Sequence, residues 1–172
     1  MQTGSKYLVT IIMGSDSDWP LVKKAADTLA KFGVAYDVQV MSAHRTPERV
    51  REYVLQSEKD GVRVFIGAAG KAAHLPGVIA AYTIRPVIGL PVKSSLDGLD
   101  ALLSIAQMPP GVPVASVAID GAENAALLAV QILATSDPEM TDRLAAYKKT
   151  MADAVQAKNE KLQNDIKSGN VL

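Results

Sequence analysis

The chain has no cysteine among its 172 residues. Disulfides, thiolate nucleophiles and cysteine-ligated metal are therefore excluded, and a reducing, cytoplasmic compartment is the expectation. Aromatic side chains make up only 5%, too few for the stacking platforms that bind single-stranded nucleic acid. Neither sign of charge is in excess: 18 Lys and Arg balance 18 Asp and Glu, so no global field draws nucleic acid or an anionic membrane. No apolar run reaches the length of a bilayer span. Residues 1–6 show no basic segment followed by an apolar core, so no signal peptide is expected. Only two histidines are present, His44 and His74; their wide, unpaired spacing makes a poor metal site, and no metal is expected.

What is present is an ordinary globular composition, 48% apolar and 21% charged, in a chain of single-domain length. Apolar, β-rich runs at residues 7–13, 35–40, 62–66, 87–90 and 114–119 alternate with helical patterns. The first helix carries Leu21, Val22, Ala25, Ala26 and Leu29 at helical spacing, with Ser17 or Asp18 as its cap and Pro20 in its first turn. The second opens at Thr46-Pro47-Glu48 and buries Val50, Val54 and Leu55. Further helices are expected over residues 72–82, 96–108 and 122–133. Continuously apolar strands imply a sheet covered on both faces, and strand–helix repetition implies right-handed crossovers. The expected fold is α/β: a three-layer αβα sandwich with a parallel, doubly wound, five-stranded sheet resembling flavodoxin. The strand order is not readable. Residues 1–136 form the expected α/β catalytic unit. Residues 137–172 form a C-terminal amphipathic helix with a thin stripe at Met140, Leu144, Tyr147, Met151, Val155, Leu162 and Ile166. That stripe is narrow for a core helix; it serves either a subunit contact or a solvated helix that frays near Ser168-Gly169-Asn170.

Ligands of open α/β sheets bind beyond the carboxyl ends of strands, so the segments that leave the apolar runs are the candidate sites. Gly14-Ser15-Asp16-Ser17-Asp18 offers hydroxyls and N–H groups for phosphate and a carboxylate for a ribose hydroxyl; plain helix capping is the alternative. Ser42-Ala43-His44-Arg45-Thr46-Pro47 places an imidazole beside a guanidinium where a strand gives way to a helix. Imidazole moves protons near neutral pH, and the planar fork of Arg45 matches an oxyanion. A surface turn is the alternative. Gly67-Ala68-Ala69-Gly70-Lys71-Ala72-Ala73-His74-Leu75-Pro76-Gly77 superficially has the look of a phosphate loop. The spacing fails, because Phe65 stands at the first glycine position and Ala72 at the Ser or Thr position. What remains is a loop of small side chains that a ligand can approach closely. His74 is either a second polar group at the pocket or packed in a helix's first turns. The Gly-x-Gly-x-x-Gly dinucleotide fingerprint is absent, and no aspartate ends the third strand as a receiver domain requires.

Taken in order, these segments resemble the PurE family of class I N5-carboxyaminoimidazole ribonucleotide mutases. Gly14-Ser15-Asp16-Ser17-Asp18 matches its first motif, Ser42-Ala43-His44-Arg45-Thr46-Pro47 its signature, and Gly70-Lys71-Ala72-Ala73-His74-Leu75-Pro76-Gly77 its third loop. Gln107-Met108-Pro109, Gly111-Val112-Pro113 and Asn124-Ala125-Ala126-Leu127-Leu128 are also similar. The likeness spans about residues 7–134. The family usually carries glycine where Lys71 stands, and lysine resists positive φ. Either the loop differs here or that position never needed glycine. The resemblance implies an isomerase of purine biosynthesis that moves a carboxylate from an exocyclic nitrogen to a ring carbon by decarboxylation and recarboxylation. It implies His44 as the proton shuttle and Ser15, Asp18, Arg45, Ser42, Ala69, Gly70, Lys71 and His74 as substrate-binding. Ala68, Ala69, Gly70, Ala72 and Ala73 would line a tight space that holds carbon dioxide away from water. No cofactor, metal or ATP is implied, and the family's octamer, with its C-terminal helix reaching across subunits, is the expected assembly. A carboxylase using free carbon dioxide, a non-catalytic phosphoribonucleotide sensor and an interaction scaffold on the charged tail are the alternatives.

Overall fold

The computed structural model describes residues 7–169. Residues 1–6, read above for a leader, and Asn170 of the expected frayed end lie outside them. The chain divides into two compact units, one up to Leu133 and one from Ala134 onward.

In the first unit the strands are β1 (Val9–Met13), β2 (Tyr36–Val40), β3 (Val64–Ala69), β4 (Val87–Pro91) and β5 (Ala115–Ser116). The helices are α1 (Trp19–Lys31), α2 (Pro47–Lys59), α3 (Leu75–Ala80), α4 (Leu99–Ala106) and α5 (Ala122–Ala134). The sheet is wholly parallel in the order β2-β1-β3-β4-β5. This is the flavodoxin-like arrangement: the chain steps outward to β2, returns past β1 to β3, and then continues in one direction. Right-handed crossovers put α2, α3 and α4 on one face. Their side chains Val50, Val54, Leu75, Ile79, Ala101 and Ile105 share one core with Ile12, Phe65 and Val87 of the sheet. Val9, Ile11, Ile66 and Ile88 alternate to the other face and are equally buried. Gly89 is set by this packing, since a Cβ there would overlap Ile105 Cγ2.

The sheet interior follows the expectation: every residue of β1, β3 and β4 is buried. The edges depart from it. In β2 residues 36–39 are half-buried and Val40 is exposed. The fifth strand, expected over residues 114–119, pairs only at Ala115 and Ser116, both exposed. Pro113 supplies no N–H at its entry, and beyond it only scattered bonds follow β4, such as Asp120 N–H to the Pro91 carbonyl at 2.9 Å.

Three helix starts also differ. The segment before α1 forms a short 3-10 turn, Asp16–Asp18, in which Ser15 accepts from Ser17 N–H. Asp18 then occupies the α1 N-cap position, but its carboxylate bonds no backbone N–H there. Residues 96–98 are left-handed rather than helical (φ 45°, 53° and 90°), so α4 begins at Leu99. Residues 72–74 precede α3, which begins at Leu75 with Pro76 in its first turn. Leu55 is only half-buried, with Ser57 taking the next inward position.

The second unit holds one long helix, α6 (Pro138–Lys167). Asp137 caps it, accepting from Met140 N–H at 3.0 Å, and Pro138 starts its first turn. Met140 is buried and Leu144 and Tyr147 half-buried, while Met151, Val155, Leu162 and Ile166 are exposed. Exposed pairs such as Lys149–Asp153 at 2.8 Å decorate it; such pairs contribute little stability.

Candidate active site

Loops leaving β1, β2, β3 and β4 surround a cleft of about 810 Å³ at the carboxyl edge of the sheet. It straddles the β1/β3 boundary, where the strand order reverses and parallel sheets open a crevice. The expected proton shuttle and all the expected substrate-binding residues line this one cleft: Ser15, Asp18, Ser42, His44, Arg45, Ala69, Gly70, Lys71 and His74.

The turn after β2 is built by its own side chains. Ser42 Oγ accepts from the N–H groups of His44 (3.3 Å) and Arg45 (3.2 Å). Thr46 Oγ1 accepts from Ser42 N–H at 3.0 Å and donates to the Ser42 carbonyl at 3.1 Å. Thr46 is thus spent on the turn and leaves the first turn of α2 without a side-chain cap. The turn reaches across to the β1 loop through Arg45 Nη2, which donates to the Gly14 carbonyl at 3.3 Å. Among the described residues Arg45 has no carboxylate partner, so its charge is open to a ligand anion.

His44 Nε2 and His74 Nδ1 lie 2.8 Å apart, with ring planes at 76°. One nitrogen donates and the other accepts, so each ring fixes the tautomer of the other. Both are exposed to the cleft. His74 is therefore a polar group of the site and not packed within a helix. The β1 loop adds hydroxyls at Ser15 and Ser17, whose oxygens are 2.9 Å apart. Burial pushes the Asp18 carboxyl above its ordinary value, against the lowering effect of bonds from Ser17 and Ser15.

The β3 loop does not form the closed alanine-lined chamber. Ala69, Gly70 and Ala72 line the cleft, whereas Ala68 and Ala73 are buried at 0% and 1% exposure and belong to the core. In the single chain His44, Arg45, Lys71 and Ala72 are exposed, so the cleft opens to solvent. Lys71 adopts φ +55°, which shows that this position is left-handed although lysine occupies it.

The β4 loop, Val92-Lys93-Ser94, also lines the cleft and was not among the expected residues. Ser94 Oγ accepts from Lys71 N–H at 3.0 Å, and Lys93 pairs with Asp97 at 3.1 Å. The signal was available, because these residues directly follow an apolar strand, where ligands of such sheets gather. Among the described residues no group of three or more His, Cys, Asp or Glu is placed to hold a metal ion.

Fold and cleft together define a parallel α/β domain carrying a hydrogen-bonded histidine pair and an open cation at the switch point of its sheet. The AIR carboxylase family model matches residues 8–154. The chain belongs to that family. It is 56% identical over 159 residues to the N5-carboxyaminoimidazole ribonucleotide mutase of Pyrococcus horikoshii, covering 92% of this chain and 90% of the relative. It is 52% identical over 160 residues to the protein of the same name from Methanocaldococcus jannaschii, covering 93% and 100%. The structure of Treponema denticola PurE superposes with a TM-score of 0.83 at 33% identity, over 90% of this chain and 97% of that one.

Proposed function

We propose that this enzyme is an N5-carboxyaminoimidazole ribonucleotide mutase, acting within purine biosynthesis. The observation that carries the reading is the 2.8 Å His44–His74 contact beside the open guanidinium of Arg45, in a chain whose relatives bear that name at 52–59% identity.

The chemistry needs one proton and one small pocket. As the bond from the exocyclic nitrogen to the carboxylate carbon breaks, its electron pair stays on nitrogen, which takes a proton from His44, and carbon dioxide is freed. Ring carbon four then attacks carbon dioxide, and its own proton returns to His44. The proton given in the first step is regained in the second, so atoms and charge balance without an external reagent. His74 holds the ring of His44 in register for both transfers. Arg45 takes the phosphate through its planar fork, with Ser15 and the uncapped start of α2 as further donors. Asp18 accepts from ribose hydroxyls, Ser42 sets the turn, and Ala69 and Gly70 let the ligand lie against backbone.

Water must be kept from the freed gas, and the cleft of one chain is open. We assign that closure to a neighbouring copy in a cytoplasmic homo-octamer, with residues 137–172 as an intersubunit extension that uses the exposed Met151, Val155, Leu162 and Ile166. The test of the activity supplies the carboxylated ribonucleotide without bicarbonate or ATP. Steady formation of the ring-carboxylated product is expected. Product only from the uncarboxylated ribonucleotide with bicarbonate would instead make the enzyme a carboxylase of free carbon dioxide, the activity that the family model's description carries.

A further inference from the structure

Lys71 is the residue whose placement the reading above leaves unexplained. It lies in the left-handed region at φ +55°, where a residue with a Cβ is strained relative to glycine. Such strain persists only where the surroundings over-determine it, and it gathers at ligand clamps. The surroundings here do so. Lys71 N–H is held by Ser94 Oγ at 3.0 Å. The preceding Gly70 sits so close to the β4 loop that a Cβ would come within 2.9 Å of Ser94 Oγ and 3.2 Å of the Val92 carbonyl. The β3 loop is thus seated on the β4 loop in one position, with Lys71 at the cleft.

Three cationic residues, Arg45, Lys71 and Lys93, line the cleft, and they are not equivalent. Lys93 is occupied by Asp97 at 3.1 Å. Arg45 and Lys71 have no carboxylate partner among the described residues. The proposed substrate carries two anions, a phosphate and a carboxylate. The rigid fork of Arg45 suits the first. An ammonium on a flexible stem is a compact charge that follows a group as it moves.

We infer that Lys71 binds the migrating carboxylate and promotes its recapture. This rests on the mutase reading. The charge favours the two carboxylated states over neutral carbon dioxide. It therefore speeds attack by ring carbon four and opposes loss of the gas from the cleft. Lys71 accepts and donates no proton in the sequence, so the balance given above is unchanged.

The experiment compares wild type with Lys71→Gln, Lys71→Gly and Lys71→Arg. It measures KM for the carboxylated ribonucleotide, affinity for the uncarboxylated one, and the fraction of turnovers that end as free uncarboxylated ribonucleotide. In Lys71→Gln and Lys71→Gly, KM rises about tenfold, as for loss of one charge-assisted hydrogen bond. The leaked fraction rises and affinity for the uncarboxylated ribonucleotide stays within about twofold. Lys71→Arg recovers both losses in part, and Lys71→Gly melts above wild type because the strain is relieved. Unchanged KM and leakage in Lys71→Gln and Lys71→Gly, with a higher melting temperature in the latter, would make Lys71 a strained surface residue and overturn the inference. A wild-type enzyme that leaves the carboxylated ribonucleotide unconverted would overturn the mutase reading, and this inference with it.

Discussion

At the scale of single residues, the proposed reading assigns proton transfer and anchoring to different side chains. Among the described residues the His44 ring bonds His74 alone, so His44→Asn should cut turnover by about 10²–10⁴-fold, the usual range for a lost acid–base group. Affinity for the ribonucleotide should stay within about tenfold, roughly 1.4 kcal/mol. Single-turnover kinetics with a binding titration separates the two quantities, and near-native rates would remove His44 from its role. Asp18 adds a test by pH. Its carboxyl is raised above 3.8 chiefly by burial, so the folded state favours the protonated form more than the unfolded chain does. That favourable contribution is complete below about 3.8 and is lost as pH rises through the folded value. Asp18→Asn should therefore melt above wild type at neutral pH, with the gap closing on acidification. A gap independent of pH would contradict the burial effect. The contiguous motifs made His44, Arg45, Ser15 and Asp18 legible in the sequence. The contact between His44 and His74 was not, because it joins loops 30 residues apart. The Lys71–Ser94 bond joins loops 23 apart.

At the scale of elements, the turn bearing His44 is steadied by the way α2 is tied to the sheet. Tyr53 of α2 donates to Asp37 Oδ2 of β2 at 2.6 Å. The carboxylate cannot donate, so the Thr10 hydroxyl of β1, 2.7 Å away, donates to the Tyr53 oxygen. Gln39 Nε2 donates to the same carboxylate oxygen at 2.8 Å. Tyr53→Phe leaves the fully buried Thr10 hydroxyl unpartnered, which costs about 1–3 kcal/mol. Burial first, and then the bond to Asp37, push the phenol up to about 12. In wild type that contribution is complete below about 10 and is lost as pH rises towards about 12. Denaturant unfolding at two alkaline pH values should show this loss in wild type and not in Tyr53→Phe; equal pH dependence would refute it. Element types were legible wherever both faces are covered, as in β1, β3 and β4. They were misread where an apolar residue is not inward. Leu96 fits the helical spacing of α4 yet is 75% exposed in a left-handed turn. The apolar run at residues 114–119 lies at an edge, where no neighbouring strand enforces a ladder.

At the scale of the molecule, strand order could not be read from the chain, because local pattern does not say whether a crossover steps outward or returns. The order β2-β1-β3-β4-β5 brings together loops that lie far apart in sequence, and the cleft depends on that return past β1. The tail can be tested apart from the chemistry. If residues 137–172 join subunits, a chain ending at Ala134 should sediment as a smaller assembly and lose activity with it. Wild-type assembly by the truncated chain would count against the assignment.

The central claim is that one carboxylate is detached and recaptured within the cleft of this chain. The most direct measurement supplies ribonucleotide labelled with carbon-13 in its carboxylate, in unlabelled bicarbonate buffer, and follows the label into product. The account predicts that the ring-carboxylated product keeps the label. A product carrying carbon from the buffer, or free uncarboxylated ribonucleotide in place of product, would contradict it.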